Sequence, residues 1–204
     1  MAYNQFTTLR AVKKQLGITV VNQPLFAETS LIKPSSWLVE TLQRNLKQRV
    51  GYFSEKSRSE AIVFPVLMEL KSRNDDQFTL YSGAILEADK EKGLNGECDF
   101  ILGLSKQNIE LEAPIFCIVE AKDNDLELGL PQCIAQMCGA KIYNEQDGTI
   151  LPYIFGGVTT GESWLFLKLV DDVVYVDTRQ YYIEKLDALL GVLELITMQY
   201  LIKN

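Results

Sequence analysis

The sequence predicts a mixed α/β domain in which helices cover a central sheet, and three patterns predict it. Amphipathic helical spacing recurs at the start, middle and end of the chain. Three strand-like runs follow one another between Phe78 and Lys122, and three more lie between Tyr153 and Asp177. The resulting order is helices, three strands, helix, strands, helix, a layered arrangement that buries one stripe of each helix against a sheet face. With 204 residues, 47% of them apolar, the chain has core material for one domain. No Gly/Ser/Pro linker, repeat or low-complexity tract marks a boundary. Residues 1–204 therefore read as a single unit, with 1–50 as an N-terminal helical elaboration and 57–143 as the motif-bearing core.

The elements follow in order. Phe6, Leu9, Val12 and Leu16 stand at helical spacing before Gly17, which reads as an amphipathic helix and its stop. Ile18 to Phe26 fits neither the helical nor the alternating pattern. After Pro34, two serines offer a cap to a second helix from Ser35 to about Val50, with Trp37, Leu38, Leu42 and Leu46 as its buried stripe. A third helix is expected from near Ser57 through EAIVFPVLMELKSR, bent at Pro65, which has no N–H to give. Strands are expected near Phe78–Ala88, Glu97–Leu104 and Ile115–Lys122, with Lys90–Gly96 and Ser105–Ala113 as loops. A helix over Leu130 to Asn144 carries Pro131 in its first turn, where proline is tolerated. Strands near Tyr153–Thr159, Trp164–Leu169 and Val173–Asp177 precede a closing helix from Ile183 to Ile202. Its stripe is Leu186, Leu189, Leu190, Leu193, Ile196 and Leu201. That stripe reads as core, and it is also the surface a homodimer would use.

Composition narrows the chemistry. There is no histidine, which removes Ser-His-Asp and Cys-His catalysis and histidine-ligated zinc. Any catalysis then runs on carboxylates, lysine, hydroxyls or a metal held by oxygens. Cys98, Cys117, Cys133 and Cys138 form no C-x-x-C pair, and all but Cys98 sit in apolar surroundings, as packed free thiols do. The net charge of −7 argues against a passive high-affinity binder of nucleic acid, while leaving room for a weak or catalytic contact. The densest basic run, Arg44, Lys47, Arg49, Lys56 and Arg58, reads as a solvated helix face. The apolar runs fall short of a membrane span and no charged-then-apolar leader opens the sequence, so the expectation is a soluble, cytoplasmic protein.

The acids hold the chemistry. In the stretch FCIVEAKDND, from Phe116 to Asp125, side chains alternate across a strand, so Ile118, Glu120 and Lys122 share a face. Upstream, GECDFIL places Asp99 at the start of another strand, and the midpoint between Asp99 and Glu120 falls at Ile109–Glu110, inside the expected hairpin loop. Antiparallel pairing around that loop sets Asp99 opposite Glu120. Two carboxylates so placed repel, and a divalent cation resolves the conflict. Oxygen ligation with room for water suits Mg²⁺ or Mn²⁺, with Lys122 orienting water or stabilising charge, as phosphodiester hydrolysis requires. The blander readings are a solvated Glu120–Lys122 pair and an Asp99 that bonds backbone amides.

Gly96-Glu97-Cys98-Asp99 followed by Glu120-Ala121-Lys122 resembles the PD-(D/E)XK nuclease superfamily, the restriction-endonuclease-like fold. The resemblance covers roughly Ser57 to Tyr143. It implies a restriction-endonuclease-like mixed sheet flanked by helices, Asp99 and Glu120 as ligands of Mg²⁺ or Mn²⁺, Lys122 serving the attacking water, and DNA as the favoured partner. It further implies Glu60 as the helix acid that assists the metal, with Glu55 as substitute. Gln132 is similar to the glutamine of a Q-x-x-x-Y motif, although Gln136 stands where the tyrosine would be. Glu60 also reads as the end of a capping box that begins at Ser57, and Gln132 and Gln136 as a polar helix flank. Asp123, Asp125 and Glu127 are expected to point away from a phosphate cleft. The implied nuclease has two rivals: the same fold used as a non-catalytic binding or interaction module, and a phosphoesterase of small nucleotides.

Overall fold

The computed structural model describes residues 2–50, 54–105 and 109–201. Its helices are α1 (Leu9–Leu16), α2 (Ser36–Lys47), α3 (Glu55–Arg58), α4 (Phe64–Arg73), α5 (Leu126–Gln146) and α6 (Leu186–Leu201), with a π-helical segment, Ser59–Val63, joining α3 to α4. Its strands are β1 (Thr19–Asn22), β2 (Thr79–Asp89), β3 (Leu94–Gly103), β4 (Ile115–Ala121), β5 (Ile154–Thr159), β6 (Ser163–Val170) and β7 (Val173–Tyr182). They form one seven-stranded sheet in the order β1-β7-β6-β5-β4-β3-β2. The pairs β1/β7 and β4/β5 are parallel and the rest antiparallel. The α5 crossover makes the β4/β5 pairing possible, because parallel neighbours cannot be joined by a tight turn.

Two hydrophobic cores sit on opposite faces of this sheet. On one, α1 and α5 bring Val12, Cys133, Ile134 and Met137 against Ile101, Ile118 and Val158. On the other, α2, α4 and α6 bring Leu38, Leu67, Leu70, Leu190 and Leu193 against Phe100, Phe116, Val119 and Phe166. Cys98, Cys117 and Cys133 are all buried, so Cys98 shares the apolar setting that its polar sequence neighbours hid. Burial pushes the Cys117 thiol up to about 12, which keeps it protonated and inert. Among the described residues no helix is long and apolar enough to cross a membrane.

Several elements depart from the sequence pattern for physical reasons. Thr19–Asn22, in the ambiguous segment, is an edge strand held by β7, and its largely exposed side chains carry no alternation to read. Trp37 is 51% exposed, since it lies on the flank of α2 away from the buried Leu38 and Leu42. The third helical run starts at Ser54, which forms a reciprocal cap with Ser57: each serine hydroxyl accepts the other's backbone N–H, at 3.1 and 2.9 Å. Glu60 therefore lies beyond the cap and has no part in it. At Pro65 the helix has no N–H for the Ala61 carbonyl, four residues earlier. Asn45 of α2 donates to that carbonyl instead, at 2.7 Å, just where the backbone passes through its π-helical segment. The α5 helix starts at Leu126, capped by Asp125, which leaves Pro131 in the second turn. The closing helix keeps Leu189, Leu190, Leu193 and Ile196 buried; Ile202, its expected end, lies outside the described residues.

The elements around the candidate site are fastened by side chains. Ser35, the cap of α2, donates through its N–H and hydroxyl to the buried Glu69 of α4, at 2.9 and 2.5 Å. Asn144 near the end of α5 closes a two-bond ring on the Ile115 backbone, at 2.7 and 2.8 Å. Gly191 of α6 lets the Ser30 carbonyl approach so closely that a Cβ there would collide with it. Gly191→Ala is expected to destabilise the fold by about 1–3 kcal/mol, or roughly 3–10 °C in Tm. Thermal unfolding followed by circular dichroism checks this.

Candidate functional site

The β3/β4 register pairs Phe100 with Val119 and Ile101 with Ile118. One step further along this register, Asp99 falls opposite Glu120. Asp99 Oδ2 accepts the Ala121 N–H at 2.7 Å, so it does bond a backbone amide, on the neighbouring strand, while standing beside Glu120. On β2, Ser82 pairs with Phe100 and Ala84 with Cys98, which puts Gly83 across from Asp99. Gly83 has φ of 65°, a conformation that favours glycine, and the Glu97 carboxylate lies against it, 3.3 Å from where a Cβ would stand.

Glu120 is 1% exposed and points toward α5. Its Oε1 accepts from Lys122 Nζ at 2.7 Å and its Oε2 from Gln136 Nε2 at 2.8 Å. Lys122 Nζ also donates to Gln132 Oε1 at 3.3 Å and lies 3.8 Å from Glu55 Oε1. The spacings match: four residues of helix rise about 6 Å and two residues of strand about 6.6 Å, so Gln132 and Gln136 meet Lys122 and Glu120 one to one. The Lys122 stem lies over Gly129 of α5, where a Cβ would come within 3.0 Å of Cγ. Gln136 Oε1 is buried with no hydrogen-bond partner.

The structure thus brings Asp99, Glu120, Lys122, Gln132 and Gln136 together; Glu60 reaches the same cavity as Asp99 but is paired with Lys56. The Glu60 side chain is 70% exposed and 3.9 Å from Lys56. Glu55, one helical turn earlier, is the α3 acid that faces Lys122. Glu55, Glu60, Glu97 and Asp99 line a cavity of about 360 Å³ with Ser59, Ser82 and Gly83. Glu97 was not anticipated, although its place two residues before Asp99 on one strand puts both side chains on one face. Asp125 and Glu127 line a different groove with Thr8, Asn22 and Gln180, away from Asp99. Of the basic run, Arg44, Lys47 and Lys56 are exposed, whereas the Arg58 stem packs over Gly161.

Electrostatics fit this geometry. Burial raises Glu120, the Asp99 charge raises it further, and Lys122 and Gln136 oppose them, leaving it pushed up to about 7. Asp99 is raised by burial and by Glu55 and Glu97, against the Ala121 N–H and Lys122. Burial alone would lower Lys122, but Glu120, Glu55 and Asp99 together hold it above the usual lysine value. Among the described residues no three Cys, Asp or Glu side chains are grouped as a metal cage. Of the two acids, Asp99 lines the cavity, whereas Glu120 is 1% exposed and is not part of its lining; Mg²⁺ and Mn²⁺ commonly take only one or two protein carboxylates.

The raised Glu120 carboxyl has a stability consequence. Its folded-state value lies above its ordinary value of 4.5, so the folded chain holds the proton more tightly. The stabilisation is present in full below about 4.5 and is lost as pH rises through about 7. Urea unfolding across this window should show stability falling with pH, with a shallower fall in Glu120→Gln. Set beside known proteins, the chain matches no family model and no curated protein.

Proposed function

We propose that the protein is a Mg²⁺- or Mn²⁺-dependent phosphodiester hydrolase, a nuclease acting on DNA, with a restriction-endonuclease-like core of the PD-(D/E)XK kind. The observation that carries this reading is the β3/β4 register, which sets Asp99 against Glu120 with Lys122 on the same carboxylate. The order of α4, the β2–β3–β4 meander, α5 and the parallel β5 supports the fold half of the reading.

In this reading Asp99 and Glu120 would hold the cation, whose chemistry would be to neutralise phosphate charge and acidify a bound water. Lys122 orients that water through its ammonium and stabilises charge on the phosphate oxygens. Gln132 and Gln136 keep Lys122 and Glu120 in place from α5. Hydrolysis breaks the P–O bond to the leaving oxygen as the water oxygen forms a new one; the attacking water gives up a proton to solvent and the leaving oxygen takes one from it. A second reading draws on the internal bonds that satisfy both oxygens of Glu120 at 1% exposure. Such a closed site would suit a nuclease-like fold kept as a non-catalytic binding or interaction module.

The test compares wild type with Glu120→Ala and the isosteric Glu120→Gln. Saturating Mn²⁺ should raise the wild-type Tm by several degrees, since a ligand at ~100 Kd contributes about 2.7 kcal/mol. Cleavage of single- or double-stranded DNA should fall by about 100-fold or more in both variants. A folded wild type with no Mn²⁺ response and no cleavage of DNA or RNA would favour the interaction module. Cleavage of small nucleotides alone would favour a phosphoesterase.

A further inference from the structure

Lys122 sits on the oxygen that a metal ion would need. Its Nζ is 2.7 Å from Glu120 Oε1, while Gln136 takes Glu120 Oε2. Both oxygens of this buried carboxylate are therefore engaged, and a cation approaching from the Asp99 side meets an ammonium already seated. The pairing is a partial remedy for the acid pair: one positive charge faces two carboxylates, both raised first by burial, Glu120 further by Asp99 and Asp99 by Glu55 and Glu97. A dication satisfies both charges at once, which gives it the means to displace the lysine.

The ammonium also has a place to go. Gln132 Oε1 already accepts from it at 3.3 Å, and Glu55 Oε1 stands 3.8 Å away, beyond a good hydrogen bond but within reach of a small torsional change in the long stem. The Glu55 side chain is 43% exposed, so receiving the ammonium requires little rearrangement of α3. The stem lies over the bare backbone of Gly129, with no Cβ to hold it in one place.

We infer that Lys122 is the resident counter-cation of the acid pair, displaced from Glu120 when a divalent cation binds, and that Glu55 is the positioning residue that receives it. This rests on the metal-dependent reading above and deepens it: the metal-free bond to Glu120 and the working position of Lys122 are two states of one side chain. It also gives Glu55 a role distinct from that of a ligand. A ligand contributes whether or not Lys122 is present; a receiver contributes only when there is a lysine to receive.

A double-mutant cycle on the full chain separates the two roles, with the Mn²⁺ Kd measured by calorimetry. Lys122→Gln and Lys122→Met should each tighten Mn²⁺ by about tenfold or more, the effect of removing one charge-assisted competitor. Glu55→Gln should weaken Mn²⁺ several-fold in the wild-type background and lose most of that effect in the Lys122→Gln background. Equal weakening in both backgrounds would make Glu55 a ligand and overturn its role as receiver. Unchanged or weaker Mn²⁺ binding in both lysine variants would overturn the displacement itself, leaving the metal reading standing. Binding by Lys122→Gln but none by wild type would also overturn displacement, since Lys122 would then exclude the ion rather than yield to it. No binding by any variant, each verified as folded, would sink the metal reading and this inference with it.

Discussion

The repulsion between Asp99 and Glu120 is the constraint around which the candidate site is arranged. Antiparallel pairing of β3 with β4 forces the two carboxylates together, and the bond from Ala121 N–H to Asp99 keeps one from turning away. Neighbouring elements compensate. The α5 helix is fastened to the start of β4 by Asn144 and to its end by Gln136 and Gln132, and α3 contributes Glu55. Moving any of these elements by a residue of register would leave a buried charge without a partner, which is among the larger penalties a fold can incur.

This arrangement sacrifices stability locally, as functional sites often do. A well-packed apolar trio in place of Glu120, Lys122 and Gln136 would avoid a raised carboxyl and an orphaned Gln136 Oε1. The fold meets the cost with two continuous cores, one on each sheet face, and with polar fastenings such as Ser35–Glu69 and Asn45–Ala61. Asn45 shows how local and global demands are reconciled: Pro65 deprives a carbonyl of its helical donor, and a side chain from the adjacent helix supplies another.

The acid pair was legible in the sequence because a strand has a period of two and a hairpin a symmetric midpoint, so GECDF and FCIVEAK could be set against each other without coordinates. Gln132 and Gln136 were legible as one turn of helix. That they take Lys122 and Glu120 one to one depends on where the crossover lays α5, which is a tertiary matter. The start of the third helix was misread because a serine can close a cap as well as a glutamate; the helix begins after Ser54, which sets Glu55 against Lys122, while Glu60 lines the cavity with Asp99. The β1 strand was illegible because an exposed edge has no buried face to write a pattern into the sequence. Glu97 and Gly83 acquire meaning only through the β2/β3 register.

The proposed function implies that a divalent cation binding at the Asp99–Glu120 pair displaces, along with the Lys122 ammonium, the proton that the raised Glu120 carboxyl holds at mildly acid pH. Proton release on Mg²⁺ binding tests it most directly, by calorimetry at about pH 6.5 in two buffers of different ionisation enthalpy. This pH lies below the value of about 7 to which Glu120 is raised. The account predicts a net release of protons as the ion binds. Binding with no proton released would contradict it.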